Sequence, residues 1–249
     1  MNLSNSVVVI IGATGGIGRE IVKNLDKEDT QLILISKNET VLQELMKTLK
    51  NKNSKYYVCD LKNNDSIEKV TSQIIDENKN INVLIHCAGI GIYKSIEDLT
   101  LDDWNESFEV NVTSLFLIAK KLLPLISKTE DGLILTIGSG AGVIPMSGRS
   151  VYCATKFALR GFILSLAEEF KRINNPKFCL ITLGSTLTSF GPLSFEKKKE
   201  EMESGKAYFT PEWVGEKLVE IIKDEDREIE YTLYPGDYGF GEWNKPEPK

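Results

Sequence analysis

Tyr152 and Lys156 are two residues whose types and spacing suit proton transfer. Residues four positions apart project from the same face of a helix. A tyrosine phenol has a reference pKa of about 10, and a nearby ammonium group favours the tyrosinate and lowers that pKa. The pair therefore predicts a general acid or base at Tyr152, although the same spacing also occurs on ordinary helix surfaces. Ser139, thirteen residues before Tyr152, is placed to hold a substrate oxygen by a hydrogen bond.

A glycine-rich stretch, IGATGGIGRE at residues 11–20, follows an apolar run and precedes a helical pattern. Glycine inside a helix costs roughly 1 kcal/mol relative to alanine, so four glycines here need a reason. One reason is a dinucleotide, because a turn without side chains lets a pyrophosphate approach the free N–H groups of the helix N-terminus. A plain strand-to-helix turn is the alternative. Two glycine spacings fit, and they belong to different groups of nucleotide-binding proteins: Gly12-x-x-x-Gly16-x-Gly18 and Gly12-x-x-Gly15-x-x-Gly18.

The end of the second apolar run indicates which dinucleotide is preferred. An NAD site usually carries Asp or Glu about 20 residues after the glycines, whereas a basic residue there accommodates the 2′-phosphate of NADP. This chain has Ser36 and Lys37 at that place and no carboxylate before Glu39. Lys37 therefore favours NADP(H), the alternative being an ordinary solvated lysine.

Short apolar runs alternate with helical patterns along the chain. The runs are nearly continuous (VVVII, LILI, LILTI), as in strands buried on both faces of a parallel sheet. This alternation predicts an α/β fold with one Rossmann-type, doubly wound parallel sheet of about seven strands and helices on both faces. The predicted strands are Val7–Ile11, Gln31–Ser36, Tyr56–Asp60, Asn82–Ala88, Gly132–Ile137, Phe178–Leu183 and Glu228–Leu233. The predicted helices are Gly16–Leu25, Glu39–Lys50, Ser66–Glu77, Asp102–Leu125, Tyr152–Ile173 and Pro211–Ile222.

No internal repeat or break in composition divides the chain, so residues 1–249 are predicted to form a single domain. Residues 184–210 form a long charged insertion after the sixth strand, and such insertions are often lids over sites. The lysine run Lys197–Lys199 is interpreted as a solvated face of that lid. The turn-rich C-terminal tail is expected to end in mobile residues.

Composition excludes several classes of protein. Of the 249 residues, 41% are hydrophobic and 27% are charged, which suits a soluble domain with a core. The net charge of −6 argues against a nucleic-acid or anionic-membrane binder, and no apolar run approaches the roughly 20 residues that span a bilayer. The N-terminus does not resemble a signal peptide and the four cysteines lie far apart, so a cytoplasmic protein with reduced thiols is expected. With one histidine, His86, a His-rich metal site is excluded, and no metal is expected.

Taken together, these motifs resemble the short-chain dehydrogenase/reductase family over essentially the whole chain, because several occur in the family's order and at its intervals. The matching motifs are the turn Gly12, Gly16, Gly18; Asp60 in VCDL; HCAG at 86–89; Asn111 in EVNVTS; Ser139; Tyr152-x-x-x-Lys156; and LGSTLT at 183–188. The resemblance implies the catalytic residues Asn111, Ser139, Tyr152 and Lys156. It also implies a cofactor site made of Gly12, Thr14, Gly15, Gly16, Ile17, Gly18, Ser36, Lys37, Asp60, Leu61, Ala88, Gly89, Asn111, Tyr152, Lys156, Gly184, Thr186 and Thr188.

The resemblance also assigns roles within that site. Asp60 would contact the adenine amine, while Ala88 and Gly89 would border the adenine ribose. Asn111 would anchor a water relay to Lys156, which would also bond the nicotinamide ribose. The carboxamide would be framed by Gly184, Thr186 and Thr188.

The chain departs from the family pattern at several places, none of which removes a catalytic group. Ile11 stands where threonine usually precedes the first glycine, and Leu183 replaces the proline of the PG turn. HCAG replaces NNAG, so an asparagine that braces the central strands is absent, and His86 is interpreted as structural. Gly15 occupies the position at which many NADP-dependent members carry a basic residue, which leaves Lys37 without that support.

These residues predict an NADP(H)-dependent oxidoreductase that transfers hydride between the nicotinamide and a carbonyl or secondary alcohol, in the simplest case a carbonyl reductase. One alternative is a non-catalytic NADP(H)-binding regulator or scaffold. Another is the extended relatives that act on nucleotide sugars, but these need a C-terminal substrate domain and only about 60 residues follow the sixth strand.

A homodimer or homotetramer is expected through the two longest helices, with Phe157, Leu159, Phe162 and Ile163 as candidate contacts. The small-molecule substrate is expected to have a hydrophobic body, contacted by Ile90, Tyr93, Ile144, Met146, Phe190 and Leu193.

Overall fold

The computed structural model describes residues 1–241, so the expected mobile end of the tail, at residues 242–249, lies outside the described part of the chain. Its strands are β1 Val7–Ile11, β2 Gln31–Ser36, β3 Lys55–Val58, β4 Val83–His86, β5 Leu133–Ile137, β6 Lys177–Leu183 and β7 Glu230–Leu233. They form one sheet in the order β3-β2-β1-β4-β5-β6-β7, and every neighbouring pair is parallel. The strand order reverses between β1 and β4, as in a doubly wound sheet. The predicted α/β fold is confirmed.

Eight α-helices lie within residues 1–241. They are α1 Gly16–Leu25, α2 Glu39–Thr48, α3 Asn64–Glu77, α4 Leu101–Phe108, α5 Ser114–Ile126, α6 Ser150–Phe170, α7 Phe195–Glu203 and α8 Pro211–Lys223. Five of them begin at a polar side chain that accepts a hydrogen bond from a first-turn N–H group, which satisfies a donor that the helix itself cannot. These N-caps are Asn38, Asn63, Thr100, Ser194 and Thr210.

Alternating strand residues supply two hydrophobic cores, one on each face of the sheet. In β1, Val8 and Ile10 belong to the core that also contains residues of α1, α2 and α8. Val9 and Ile11 belong to the other core, with residues of α3, α5 and α6. All four side chains are fully buried. Because helices cover both faces, the strand reads as an uninterrupted apolar run.

One predicted helix is present but contains an irregularity that the apolar pattern did not indicate. A π-helical segment, Glu109–Thr113, interrupts the helix predicted over Asp102–Leu125 and separates α4 from α5. A π turn closes i→i+5 hydrogen bonds and accommodates one extra residue. Asn111 lies in this segment, is fully buried, and bonds to Ile90 and Thr155. Since these partners are distant in sequence, the helical spacing of apolar residues did not reveal the interruption.

The remaining elements follow the apolar pattern closely. β1, β2 and α1 have their predicted bounds, and the other boundaries differ by at most three residues. The insertion at residues 184–210 contains α7. An isolated parallel β-bridge between Thr186 and Phe209 joins the beginning of the insertion to its end. No helix within residues 1–241 is long and apolar enough to cross a membrane.

Gly215 in α8 and Gly161 in α6 form a matched pair for testing the packing of α1 on α8. An added Cβ at Gly215 would lie 2.7 Å from Glu20 Cβ and 2.8 Å from the Glu20 carbonyl carbon, whereas Gly161 has nothing within 4 Å. We expect Gly215→Ala to destabilise the protein by about 1–3 kcal/mol because α8 must move. Gly161→Ala should stabilise it by about 0.5–1 kcal/mol through helix propensity. Urea unfolding followed by circular dichroism measures both, and shifts of the same sign would contradict the close contact.

Candidate active site

A cavity of about 740 Å³ opens at the carboxyl ends of the strands, where the strand order reverses. Its lining comes from the segments that follow β1, β2, β3, β4, β5 and β6. Open α/β sheets bind their ligands at this place, and the volume is in the range of small-molecule sites.

The glycine turn after β1 is a point of close backbone approach. Gly12 has a φ of +87°, and an added Cβ would lie 2.7 Å from the backbone nitrogen of Ala88. An added Cβ at Gly18 would overlap the carbonyl oxygen of Gly12, and one at Gly16 would lie 2.6 Å from Cγ2 of Thr188. The turn therefore meets the loops that follow β4 and β6 with no room for side chains.

Helix α1 differs at its N-terminus from the five capped helices. It begins at Gly16 after Gly15, with no side-chain cap and no acidic residue in its first turn. Both glycines, together with Ile17 and Gly18, line the cavity. First-turn N–H groups without a cap and the positive end of the helix dipole suit a phosphate. These residues fit the pyrophosphate of a nicotinamide dinucleotide.

The end of β2 borders the same part of the cavity. The hydroxyl groups of Thr14 and Ser36 hydrogen-bond each other at 2.5 Å, and Arg19 Nε donates to the carbonyl oxygen of Thr14 at 2.9 Å. Lys37 lines the cavity and is exposed, and within residues 1–241 its ammonium makes no hydrogen bond or ion pair. A cation is therefore available in this part of the cavity.

Tyr152 lies at the other end of the cavity, on the first turn of α6, and is 6% exposed. Its ring centroid is 5.5 Å from that of Tyr93 and 5.7 Å from that of Phe190. Ser139, which lies beyond the end of β5, accepts a hydrogen bond from the N–H of Ala141 at 3.2 Å. Ser139 and Tyr152 line the same cavity, and the serine hydroxyl lowers the pKa of the phenol.

Lys156 lies one helical turn after Tyr152 and is 5% exposed. Its Nζ donates to the carbonyl oxygen of Ile137 at 3.1 Å and lies 5.8 Å from the centroid of the Tyr152 ring. Burial disfavours the charged form and lowers the pKa of Lys156 to about 8. The amine is therefore able to exchange a proton close to neutral pH.

The expected direction of the Tyr152 pKa is wrong for this structure. Burial raises the pKa of the phenol, and the hydrogen bond with Ser139 and the positive charge of Arg149 lower it only in part. Lys156 does not reverse the rise, because its ammonium points to the Ile137 carbonyl and lies over the ring. The phenol is thus protonated at neutral pH.

Asn111 holds the catalytic end together. Its Oδ1 accepts from the N–H of Ile90 at 2.8 Å, and its Nδ2 donates to the carbonyl oxygen of Ile90 and to Thr155 Oγ1, both at 3.0 Å. These bonds join the loop after β4 to α6. The side chain does not line the cavity, so its visible contribution is to position Ile90 and α6.

Most predicted site residues line this one cavity. Of the residues expected to contact the cofactor, all but Asn111 do so: Gly12, Thr14, Gly15, Gly16, Ile17, Gly18, Ser36, Lys37, Asp60, Leu61, Ala88, Gly89, Tyr152, Lys156, Gly184, Thr186 and Thr188. Ser139 and the six expected substrate contacts, Ile90, Tyr93, Ile144, Met146, Phe190 and Leu193, line it as well. The sequence interpretation missed several polar lining residues, among them Arg149, Lys198, Lys206, Tyr208 and Tyr234. A signal existed for Arg149, which lies three residues before Tyr152.

The lysine run Lys197–Lys199 is not wholly solvated, and this interpretation is corrected for its middle residue. Lys198 is 8% exposed. Its Nζ donates to the carbonyl oxygen of Thr188 at 2.8 Å and to that of Phe190. Burial lowers the pKa of Lys198. Because of these bonds, Lys198 anchors α7 to the loop that borders the cavity.

His86 is fully buried in β4, and neither ring nitrogen has a hydrogen-bond partner within residues 1–241. Burial, helped by the positive charge of Lys156, lowers its pKa to about 3. The imidazole is therefore neutral at physiological pH. It is not among the residues that line the cavity.

Similarity to known proteins identifies the family of this chain. Residues 6–198 match the family model described as short chain dehydrogenase. This chain belongs to the short chain dehydrogenase family. Among its relatives is the 3-oxoacyl-[acyl-carrier-protein] reductase FabG of Vibrio cholerae, 31% identical over 169 residues, which are 68% of this chain and 69% of the relative.

Solved structures share the fold of this short chain dehydrogenase. An alcohol dehydrogenase from the archaeon Thermococcus sibiricus, complexed with 5-hydroxy-NADP, has a TM-score of 0.83 at 22% identity, over 97% of this chain and 100% of that one. A short chain dehydrogenase from Burkholderia cenocepacia J2315 in complex with NADP has a TM-score of 0.82 at 21% identity, over 96% of this chain and 100% of that one. Family membership makes this protein an NAD(P)-dependent oxidoreductase.

The bracing contacts of Asn111 can be tested by stability. We expect Asn111→Ala to destabilise the protein by about 2–4 kcal/mol, because buried groups of Ile90 and Thr155 lose their partners. Asn105→Ala, an exposed change in the preceding helix α4, is the control and should stay within about 0.5 kcal/mol of the unmodified protein. Chemical denaturation measures both variants. Equal stability of the two would show that the amide does not brace this loop.

Proposed function

We propose that this short chain dehydrogenase uses NADPH to reduce the carbonyl group of a small molecule, and oxidises the matching secondary alcohol in reverse. One observation carries the proposal: Tyr152, Ser139 and Lys156 meet at one end of a cavity whose other end contains the glycine turn. A regulator that only binds the dinucleotide would need no such group of proton-transferring side chains.

The side chains divide the work of the reduction. When bound, the reduced nicotinamide supplies a hydride to the carbonyl carbon, and the π electrons of the carbonyl move to its oxygen. Tyr152 donates its phenolic proton to that oxygen, which burial favours by keeping the phenol protonated at neutral pH. Ser139 hydrogen-bonds the same oxygen and orients it. Lys156, with a pKa of about 8, returns a proton towards Tyr152, and Asn111 positions α6, which carries both side chains.

The cofactor would lie along the lining from the glycine turn to Tyr152. Gly15 and Gly16 would receive the pyrophosphate, Lys37 the 2′-phosphate, and Asp60 the adenine amine. Tyr152 and Lys156 would bond the nicotinamide ribose, and Gly184, Thr186 and Thr188 would frame the carboxamide. The unpaired ammonium of Lys37 supports NADP(H) over NAD(H), since a phosphate there gains a charge partner.

We also infer a single domain over residues 1–249, in which the insertion at residues 184–210 acts as a lid. The anchoring of α7 through Lys198 to the Thr188 and Phe190 carbonyls supports this role. The four cysteines are unpaired, which agrees with the cytoplasm as its compartment.

We further propose that the protein is a homodimer or homotetramer through α4, α5 and α6. Large apolar side chains are exposed on these helices: Leu101, Trp104, Phe116 and Phe157. Of the four contacts expected on α6, Leu159 and Ile163 are instead buried in the core of the chain, and Phe162 packs edge-on against Phe116. Exposed patches of this kind mark interaction surfaces in soluble proteins.

Replacement of Tyr152 tests the chemistry. We expect Tyr152→Phe to lower kcat for carbonyl reduction at least about a hundredfold, because the proton donor is lost, while the dissociation constant for NADPH stays within about threefold. Tyr238→Phe, which removes a hydroxyl outside the cavity, is the control and should leave both values unchanged. Turnover is followed by NADPH absorbance with a panel of carbonyl compounds. Wild-type turnover in Tyr152→Phe would defeat the mechanism.

The cofactor preference rests on Lys37. We expect Lys37→Asp to weaken NADPH binding tenfold or more, since a carboxylate repels the 2′-phosphate, and to affect NADH much less. Lys47→Asp makes the same charge change at an exposed position of α2 outside the cavity, and should alter neither affinity appreciably. Fluorescence titration of the unmodified protein and the two variants gives the six dissociation constants. Tighter binding of NADH than NADPH by the unmodified protein would overturn the preference.

A further inference from the structure

The catalytic end of the cavity is more positively charged than carbonyl reduction requires. In addition to Lys156, the side chains of Arg149, Lys198 and Lys206 line the cavity. Arg149 immediately precedes α6, and the two lysines belong to the insertion that follows β6. This concentration of cations occurs in a chain whose net charge is −6.

Within residues 1–241, the carboxylates that line the cavity belong to Asp60 and Glu106. Asp60 follows β3, which is the edge strand of the sheet. Glu106 forms an ion pair with Lys62, which lies two residues after Asp60. Lys62 Nζ and Glu106 Oε1 are 3.2 Å apart. Both carboxylates therefore lie towards the β3 end of the cavity, away from the segments that follow β5 and β6.

The three additional cations differ in how their charge is balanced. Lys206 forms an ion pair with Glu201 at 2.7 Å, so its charge is compensated. Lys198 is buried and donates to two backbone carbonyl oxygens, which satisfy hydrogen bonds but carry no formal charge. Arg149 forms no ion pair with any carboxylate of residues 1–241, and it is only half-exposed.

Arg149 lies beside the catalytic tyrosine. Its guanidinium carbon is 4.5 Å from the centroid of the Tyr93 ring, and Tyr93 packs against Tyr152 with 5.5 Å between centroids. Its Nη1 contacts Met146 Sδ at 3.5 Å, which uses a weak acceptor and leaves most of its N–H groups for a ligand. Burial raises the pKa of Tyr152, and the charge of Arg149 partly offsets that rise.

Two other arginines contact carboxylates, as Arg149 does not; Arg19 and Arg172 also form no ion pair within residues 1–241, but they do not line the cavity. Arg160 holds Glu230 through two nitrogen–oxygen bonds of 2.9 and 2.7 Å, and Arg227 lies 3.6 Å from Asp131. A planar guanidinium offers a fork of donors that matches a carboxylate, and such charged bonds are among the strongest that proteins make. The guanidinium of Arg149 packs on an aromatic ring, lines the cavity and has no carboxylate partner within residues 1–241. It is therefore available to bind a carboxylate of a ligand.

We propose that Arg149 is a specificity-determining residue that binds a carboxylate of the substrate, so the enzyme acts on small oxo acids and hydroxy acids. Lys198 adds a second positive charge at the same end. This inference rests on the proposed carbonyl reduction and names its substrate class. Tyr93 and Met146 confine the guanidinium near Tyr152, which places the carboxylate close to the reacting carbon.

The test compares substrates that differ only in charge: 2-oxobutanoate and 3-oxobutanoate against their methyl esters. For the acid that is the better substrate, kcat/KM should be about tenfold or more higher than for its methyl ester, because only the acid forms a hydrogen bond between two charged groups. In Arg149→Met the acid-to-ester ratio should fall to about one, mainly through a higher KM for the acid. Arg149→Lys keeps the charge but not the fork and should give an intermediate ratio. Arg172→Met makes the same side-chain change at an exposed position outside the cavity, and as the matched control it should keep the unmodified ratio.

A binding measurement keeps this test separate from turnover. Butanoate has no carbonyl to reduce, and calorimetry in the presence of NADP+ should show its affinity reduced about tenfold by Arg149→Met. An unchanged acid-to-ester ratio in Arg149→Met, or an equal loss in Arg172→Met, overturns the assignment to Arg149. If no acid or ester is reduced, the proposed carbonyl reduction fails, and an effect of Arg149→Met on butanoate binding still decides the carboxylate site.

Discussion

A buried ammonium group at the end of a parallel strand is the interaction on which the site depends. Lys156 Nζ bonds the carbonyl oxygen of Ile137, the last residue of β5, at 3.1 Å. Removing an ammonium from water costs several kcal/mol unless other groups replace its hydration, and that cost is visible in the lowered pKa of Lys156. The same bond fixes α6 against the end of β5. It therefore also fixes Tyr152, one helical turn earlier, in the cavity that Ser139 lines.

The glycine turn serves packing before it serves any ligand. An added Cβ at Gly12 would meet the backbone of Ala88, and one at Gly18 would meet the carbonyl of Gly12. These two glycines are thus required by the fold itself, whether or not a dinucleotide binds. The observation that favours a phosphate is a different one: the first turn of α1 lines the cavity and has no side-chain cap. Glycine spacing alone could not have separated these two causes.

The sequence predicted best those features that depend on local composition. β1 and β2 were placed to the residue because their apolar runs end abruptly at Gly12 and Lys37. The π segment could not be predicted, because it depends on contacts of Asn111 with Ile90 and Thr155 that only the folded chain brings together. Apolar spacing tolerates one inserted residue without a visible change.

Charged side chains were the harder part of the site. Lys198 is indistinguishable in sequence from its neighbours in Lys197–Lys199, and only the position of the Thr188 and Phe190 carbonyls selects it for burial. The rise in the pKa of Tyr152 was missed for a related reason. Spacing shows that two groups are near each other, but it does not show how much water surrounds them, and burial outweighs the nearby charge here.

Net charge describes the surface of this protein but not its cavity. A net charge of −6 argues against extended anionic partners, since their many charges sample the whole surface. A small anion inside the cavity feels mainly the groups within a Debye length, about 8–10 Å at physiological salt. Near Tyr152 those groups include Arg149 and the buried Lys198, whereas Asp60 lies at the β3 edge. An acidic chain can therefore select an anionic substrate, because the strand order places the cavity carboxylates Asp60 and Glu106 away from Arg149 and Lys198.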